Sequence, residues 1–170
     1  DRKGLQRAHA EAPSDLTTLE RLSTLFELHQ RYEDLIGALE RIEALASGSE
    51  ERVVLLERIG QICETRLGAA ERAIGYYLRA LTLDAGYRPV LTALTGLYEL
   101  RQQWLPLIDI LLKEAEVSGE PQRRAQCYAR VGDICEGQLS DAKRAEEYHA
   151  RALVIVPGYQ ASFKALGRLY

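Results

Sequence analysis

The sequence predicts an all-α fold in which antiparallel helix pairs repeat along the chain, and three observations support this. Of the 170 residues, 27 are Leu and 21 are Ala, whereas Val, Ile and Thr together number 23, so helix formers dominate over strand formers. Apolar residues recur at helical spacing in segments that glycine- and polar-rich breaks separate. The chain also repeats itself, which indicates that one helical unit is used more than once.

The internal repeat has an offset of 72 residues. Residues 16–98 align with residues 88–170 without a gap, and 29 of the 83 aligned pairs are identical. The identical pairs include Gly60 with Gly132 and Cys63 with Cys135. Each 72-residue unit contains four helical segments, so it is predicted to form two helix hairpins.

The helices of the first unit are predicted in order. The first hairpin comprises residues 16–29 and 33–46, and the second comprises residues 53–66 and 71–83. Ser49 is a candidate N-cap for the third helix, and Gly68 is a candidate glycine immediately after its end. The same periodicity predicts a buried core formed by Leu22, Leu35, Leu39, Leu56, Ile59, Cys63, Ala73, Tyr77, Ala80, Leu94, Leu107, Leu111, Val131, Cys135, Ala145 and Ala152.

These spacings resemble the tetratricopeptide repeat, whose first helix carries W-x2-L-G-x2-Y and whose second helix carries Ala and an aromatic residue before a final Pro. The first-helix pattern appears as Leu56, Ile59, Gly60, Cys63, as Tyr128, Val131, Gly132, Cys135 and as Phe163, Leu166, Gly167, Tyr170. The second-helix pattern appears as Ala73, Tyr77, Ala80, Ala85 and as Ala145, His149, Ala152, Pro157. The resemblance implies a right-handed superhelical solenoid whose concave groove is lined by the first helices.

The resemblance also predicts the repeat boundaries within a single array over residues 1–170. Complete repeats of alternating length are expected at residues 16–52, 53–87, 88–124 and 125–159. Residues 1–15, with Leu5, Ala8 and Pro13, are expected to form the second helix of a truncated repeat, and residues 160–170 the first helix of another. The chain is therefore predicted to be part of a longer protein, and its truncated ends are predicted to associate end to end.

Composition excludes several classes of function. The net charge of −3 disfavours nucleic acid as the main partner, and no apolar stretch is long enough for a membrane span. The three cysteines have no zinc-like spacing and cannot all pair within the chain, which favours a reducing, cytoplasmic location. No catalytic, metal-binding or phosphate-binding motif is present, so neither enzymatic activity nor a cofactor is predicted. His149 is interpreted as a core residue.

Carboxylates near the ends of the first helices form the main candidate site. Glu27, Glu64, Glu99 and Glu136 each follow the last signature position of a first helix. A carboxylate in the last turn opposes the helix dipole, so a purely local reason for this ladder is lacking. The open alternative is an internal network in which arginines of adjacent helices, such as Arg58 or Arg130, neutralise these residues. The predicted partner-binding residues are Glu20, Thr24, Glu27, Glu57, Gln61, Glu64, Thr92, Glu99, Asp133 and Glu136.

The function expected from this resemblance is a non-catalytic scaffold that binds a protein or peptide segment, with a basic segment favoured by the acidic ladder. The alternative is a structural spacer that positions other domains. RNA binding through helical repeats is less compatible, because phosphates would be repelled by the carboxylates. Four arginines on the second helices, Arg72, Arg79, Arg144 and Arg151, are expected on the convex face, with glutamate partners in the same chain.

Overall fold

Helix hairpins follow one another throughout the part of the chain that the computed structural model describes, residues 15–170. This part contains nine α-helices and no strand. They are α1 (Leu16–Leu28), α2 (Tyr32–Leu45), α3 (Ser49–Thr65), α4 (Ala70–Leu83), α5 (Arg88–Leu100), α6 (Trp104–Val117), α7 (Pro121–Gly137), α8 (Ala142–Ile155) and α9 (Gln160–Leu169). The all-α prediction is confirmed for these residues. The predicted helix over residues 1–15 lies almost entirely outside them.

The helix ends follow from local chemistry. Gly68 has φ +59° and closes α3, as predicted, because glycine adopts the left-handed conformation without a steric cost. Its equivalent in the second unit is Ser140, which takes φ +52°. Asp141 caps α8 by accepting a hydrogen bond from the Arg144 amide at 3.0 Å. The predicted Ser49 cap is wrong: Gly48 occupies the N-cap position and Ser49 is already helical, so α3 begins four residues before residue 53.

The core matches the prediction from periodicity, because all sixteen predicted core residues are buried. Two buried charges were not predicted. Glu43 on α2 and Glu114 on α6 are each only 6% exposed. Glu43 pairs with Arg52 at 2.8 Å and with Arg79 at 3.4 Å, whereas Glu114 pairs with Arg123. These pairs supply the counter-charges that buried carboxylates require.

The fold divides into two compact units, one ending at Val90 and one spanning Leu91–Tyr170. In the first unit α1 packs on α2, α2 on α3, and α3 on α4. In the second unit α6 packs on α7, α7 on α8, and α8 on α9. The connecting loops have only three or four residues, so successive helices in each unit run antiparallel.

One helical glycine in each unit lies directly against a ring of the partner helix. A Cβ atom placed on Gly60 of α3 would lie 2.4 Å from Cε1 of Tyr77 on α4. A Cβ atom placed on Gly132 of α7 would lie 2.6 Å from Nε2 of His149 on α8. Both rings are fully buried, so Gly60 and Gly132 are required for these rings to fit.

Three further observations concern the predictions on cysteines, membranes and helix ends. Cys63, Cys127 and Cys135 are buried free thiols, and burial raises the pKa of each. Within residues 15–170 no helix is both long and apolar enough to cross a bilayer. Phe163 on α9 is 66% exposed and Tyr170, the residue after α9, is 85% exposed, which fits the expected association through this end of the chain. That association stays a prediction.

Candidate binding face

The first helices of the hairpins carry all ten predicted partner-binding residues. We define the first-helix face as the polar surface that α1 and α3 present in the first unit, and α5, α7 and α9 in the second. Seven of the ten residues are exposed, and the Glu57, Glu64 and Glu136 side chains are half-buried.

Three carboxylates of the ladder are paired with arginines of the next first helix. Glu27 accepts from Arg58 at 2.8 Å, Glu99 from Arg130 at 3.4 Å, and Glu136 from Arg168 at 3.1 Å. The internal arginine network that the sequence left open as an alternative therefore forms at these three positions. The reason is tertiary, because each arginine lies 31 or 32 residues further along the chain and only helix packing brings it close.

Two other carboxylates accept hydrogen bonds from tyrosine hydroxyls of the same unit. Glu64 accepts from the Tyr77 hydroxyl at 2.8 Å. Burial, and then this bond, raise the pKa of Tyr77. Glu57 accepts from the Tyr87 hydroxyl at 2.6 Å and from the Gln61 amide at 3.1 Å. The bond to Glu57, followed by burial, raises the pKa of Tyr87 to about 12. Both hydroxyls thus stay protonated at neutral pH and orient the carboxylates.

A groove of about 480 Å³ opens on the first-helix face of the first unit. Glu20 and Thr24 of α1 line one side, and both were predicted site residues. Leu39 and Ile42 of α2 also line the groove. The α3 side is formed by residues that were not predicted, and the full lining is Glu20, Ser23, Thr24, Leu39, Ile42, Glu51, Val54, Leu55 and Arg58.

Val54 is the apolar feature of this groove that sequence analysis missed. Its side chain is 54% exposed, although it follows the fully buried Val53. The signal was present in the repeat alignment, because the equivalent residue of the second unit is Gln126. Val54 therefore gives the groove of the first unit an exposed apolar residue at a position where the second unit has a polar one.

The same region of the second unit has a different chemistry. The equivalents of Ile42 and Leu55 are Glu114 and Cys127. Glu114 is buried against Arg123, and Cys127 is buried beside it. Burial, and then the charge of Glu114, raise the pKa of the Cys127 thiol to about 12. Here charged and polar residues occupy the positions that are apolar in the first unit.

Thr92 and Asp133 complete the predicted set. Thr92 is exposed on α5, and its carbonyl accepts from the Thr95 hydroxyl at 2.9 Å. Asp133 is 61% exposed on α7, and its Oδ1 atom lies 3.3 Å from Nε2 of His149. His149 is fully buried, which confirms its interpretation as a core residue.

On the second helices, the arginines have partners within the chain. Arg72 binds Glu33 of α2 through two nitrogens, at 2.6 and 3.1 Å, and this bond lowers the pKa of Glu33. Arg79 reaches Glu43. In the second unit Arg151 lies over the Tyr148 ring at 5.0 Å, as Arg79 lies over Tyr76 at 5.8 Å in the first unit. Interaction with the Tyr148 side chain raises the pKa of Arg144. Glutamate partners are thus confirmed for the first unit alone.

Comparison with known proteins identifies the fold. No protein-family model and no curated protein is significantly similar to the chain in sequence. Solved structures are similar in fold, and one is the N-terminal domain of stress-induced protein-1 (STI-1) from C. elegans, with 16% identity, 73% of this chain and 98% of that chain covered, and a TM-score of 0.57. The C-terminal part of a TPR repeat-containing protein from Cytophaga hutchinsonii has 13% identity, covers 98% of this chain and 63% of that chain, and has a TM-score of 0.56.

A third similar structure is YrrB, described as a TPR protein with an unusual peptide-binding site. Its identity is 15%, with 96% of this chain and 80% of that chain covered, and its TM-score is 0.50. The chain therefore has the tetratricopeptide-repeat fold, as its signature residues predict.

Proposed function

We propose that this protein is a non-catalytic interaction scaffold that binds an extended segment of a partner protein on its first-helix face. The observation that carries the proposal is the groove of about 480 Å³ in the first unit, where exposed apolar and acidic side chains lie side by side. In the tetratricopeptide repeat that the sequence resembles, the first helices line the concave groove, and this supports the choice of face. YrrB, which is similar in fold, is described as having a peptide-binding site.

The lining of the groove supports a partner segment that carries both apolar and basic side chains. Val54 and Leu55 offer an apolar wall that would be desolvated by one apolar side chain of the partner. Glu20 and Glu51 flank this wall with carboxylates, and Arg58 is already engaged by Glu27. The segment that fits is one apolar residue flanked by Lys or Arg.

The remaining carboxylates of the ladder contribute less to this binding. Glu64, Glu99 and Glu136 already have partners, so a basic residue of the ligand exchanges one polar contact for another. Exposed ion pairs of this kind are worth about 0 to 1 kcal/mol. We therefore place the affinity in the groove and only modest charge attraction along the rest of the ladder.

The test is capture of peptides from a library in which apolar and basic positions vary. Val54→Gln gives the first unit the residue that the second unit carries, and we expect it to lower capture strongly. Glu20→Gln with Glu51→Gln should lower capture of basic peptides and remove most of its salt dependence. The triple variant Glu64→Gln, Glu99→Gln, Glu136→Gln should lower capture only slightly. Gln126→Val, the reverse exchange in the second unit, is the matched control and should change nothing.

A structural spacer is the second candidate, and the arginine–glutamate pairs between successive first helices support it. These pairs, Glu27 with Arg58, Glu99 with Arg130 and Glu136 with Arg168, link neighbouring hairpins within each unit. A spacer needs no exposed apolar residue in the groove. Equal peptide capture by the wild type and Val54→Gln would refute groove binding and leave the spacer as the leading function.

A further inference from the structure

The buried histidine of the second unit has one ring nitrogen without a hydrogen bond. His149 on α8 is 0% exposed, and its ring lies against Gly132 of α7. Nδ1 lies 3.0 Å from the Ser162 hydroxyl of α9. Nε2 is buried and has no hydrogen-bond partner among residues 15–170, because its contact with Asp133 at 3.3 Å lacks hydrogen-bond geometry.

Two carboxylates lie close to the His149 ring. Asp133 and Glu136 are three residues apart on α7, so both lie on one face of the helix. One atom from each carboxylate and one ring nitrogen of His149 lie within 4.8 Å of one another. Asp133 is largely exposed, so the cluster is open to solvent on one side.

In the first unit, two of the residues equivalent to this cluster form a hydrogen bond with one another. The equivalents of Asp133, Glu136 and His149 are Gln61, Glu64 and Tyr77. The Tyr77 hydroxyl donates to Glu64 at 2.8 Å, and Gln61 donates to Glu57 instead. In the second unit the hydroxyl donor is gone, and a second carboxylate and an imidazole have replaced the neutral side chains. This change removes a hydrogen bond and adds one nitrogen and one carboxylate donor to the glutamate that both units carry.

From this geometry we infer that Asp133, Glu136 and His149 form a binding site for a divalent transition ion of the Zn²⁺ type. Imidazole with carboxylates is a donor set that Zn²⁺ accepts, at bond lengths of about 2.0–2.2 Å. Three protein ligands leave one tetrahedral position for water or for a group of a partner. The ion ties α7 to α8 where the first unit uses the Tyr77–Glu64 bond.

The surroundings support a neutral, oriented imidazole. Burial lowers the pKa of His149, so the ring is neutral at pH 7 and can act as a ligand. The Ser162 hydroxyl at Nδ1 provides the outer hydrogen bond that commonly orients a ligating histidine. Arg168 of α9 opposes the ion, because it pairs with Glu136 at 3.1 Å. Its side chain is exposed, so it can turn away when the ion binds.

The test uses the full chain and Zn²⁺ or Co²⁺ alone as the probe, followed by calorimetry and by the visible spectrum of Co²⁺ in a non-thiol reductant. We expect one ion per wild-type chain. His149→Tyr copies the first unit, so the protein should fold, and binding should disappear. Asp133→Gln, at an exposed position, should weaken binding at least about tenfold, and Ser162→Ala should weaken it about tenfold as loss of an outer hydrogen bond.

Two further variants distinguish this site from casual binding elsewhere. Glu64→Gln changes the equivalent carboxylate of the first unit and should leave the affinity unchanged. Arg168→Gln removes the competing cation and should tighten binding. Equal affinity for the wild type, Asp133→Gln and His149→Tyr would overturn the proposal, and so would the absence of stoichiometric binding in the wild type.

Discussion

The α3–α4 hairpin of the first unit and the α7–α8 hairpin of the second share a packing frame but differ in polar chemistry. In both hairpins, a buried ring packs against a helical glycine of the partner helix. Tyr77 packs against Gly60, and His149 packs against Gly132. Tyr77 completes its polar contact with Glu64, whereas His149 Nε2 makes no such bond. The repeat therefore places a buried ring against a glycine in both hairpins, whereas the ring type and its polar contacts differ between them.

The largest expected effect tests whether the two hairpins share one packing frame. Ala73 and Ala145 are fully buried at equivalent positions. Ala73→Leu or Ala145→Leu should destabilise the protein by about 3 kcal/mol, the upper part of the range for overpacking, because neither site has space for three more carbons. The measurement is urea denaturation. Ala150→Leu, which copies the exposed Leu78 of the first unit, is the control and should be within about 0.5 kcal/mol of wild type.

The next effect concerns the two glycines that face the rings. Gly60→Ala and Gly132→Ala should each cost about 1 to 2 kcal/mol, with the larger loss at Gly60 because its closest ring atom is nearer, 2.4 against 2.6 Å. Gly75→Ala is the matched control, since nothing lies within 4 Å of the added carbon. That variant should gain about 0.5–1 kcal/mol from helix propensity. Stability losses of similar size at all three glycines would contradict ring contact as the cause.

A smaller expected effect is a pH dependence of stability that comes from the second hairpin and not from the first. Burial lowers the pKa of His149 below 6.5 in the folded chain, although Asp133 and Glu136 raise it and Arg168 lowers it further. Below pH 6.5 the unfolded chain then binds a proton that the folded chain does not, so stability falls as pH decreases through this region. Metal-free wild type and His149→Tyr should diverge in thermal melting as pH drops below 6.5. Parallel curves would show that His149 titrates normally.

The smallest effect lies on the second helices. Arg72 pairs with Glu33, but the residue equivalent to Glu33 in the second unit is the exposed Leu105. Leu105→Glu should create the missing pair with Arg144 and stabilise the protein by about 0.2–1 kcal/mol at low salt. A double-mutant cycle with Arg144→Ala measures the coupling. No coupling would mean that Arg144 remains with Tyr148.

The sequence alone predicted the fold of the described residues, and all sixteen residues that it assigned to the core are buried, although further apolar residues are buried with them. The packing of adjacent helices could be predicted from three features: helical periodicity, the 72-residue repeat and the signature glycines. All three are visible in the spacing of residues along the chain. The sequence also located the candidate first-helix face, because register along a helix fixes which residues share a surface. The N-cap was predicted at Ser49 but lies at Gly48, one residue earlier. The spacing of apolar residues does not fix the start of a helix to a single residue.

The polar contacts between helices could be identified from the tertiary structure alone. The partners of Glu27, Glu99 and Glu136 lie 31 or 32 residues away, the groove combines residues of three helices, and the His149 cluster joins α7 and α8 and is supported by Ser162 of α9. Such contacts depend on side-chain reach across packed helices to within an ångström. Apolar burial tolerates exchanges of similar volume and so leaves a readable pattern, whereas a hydrogen bond or ion pair depends on the position of one atom.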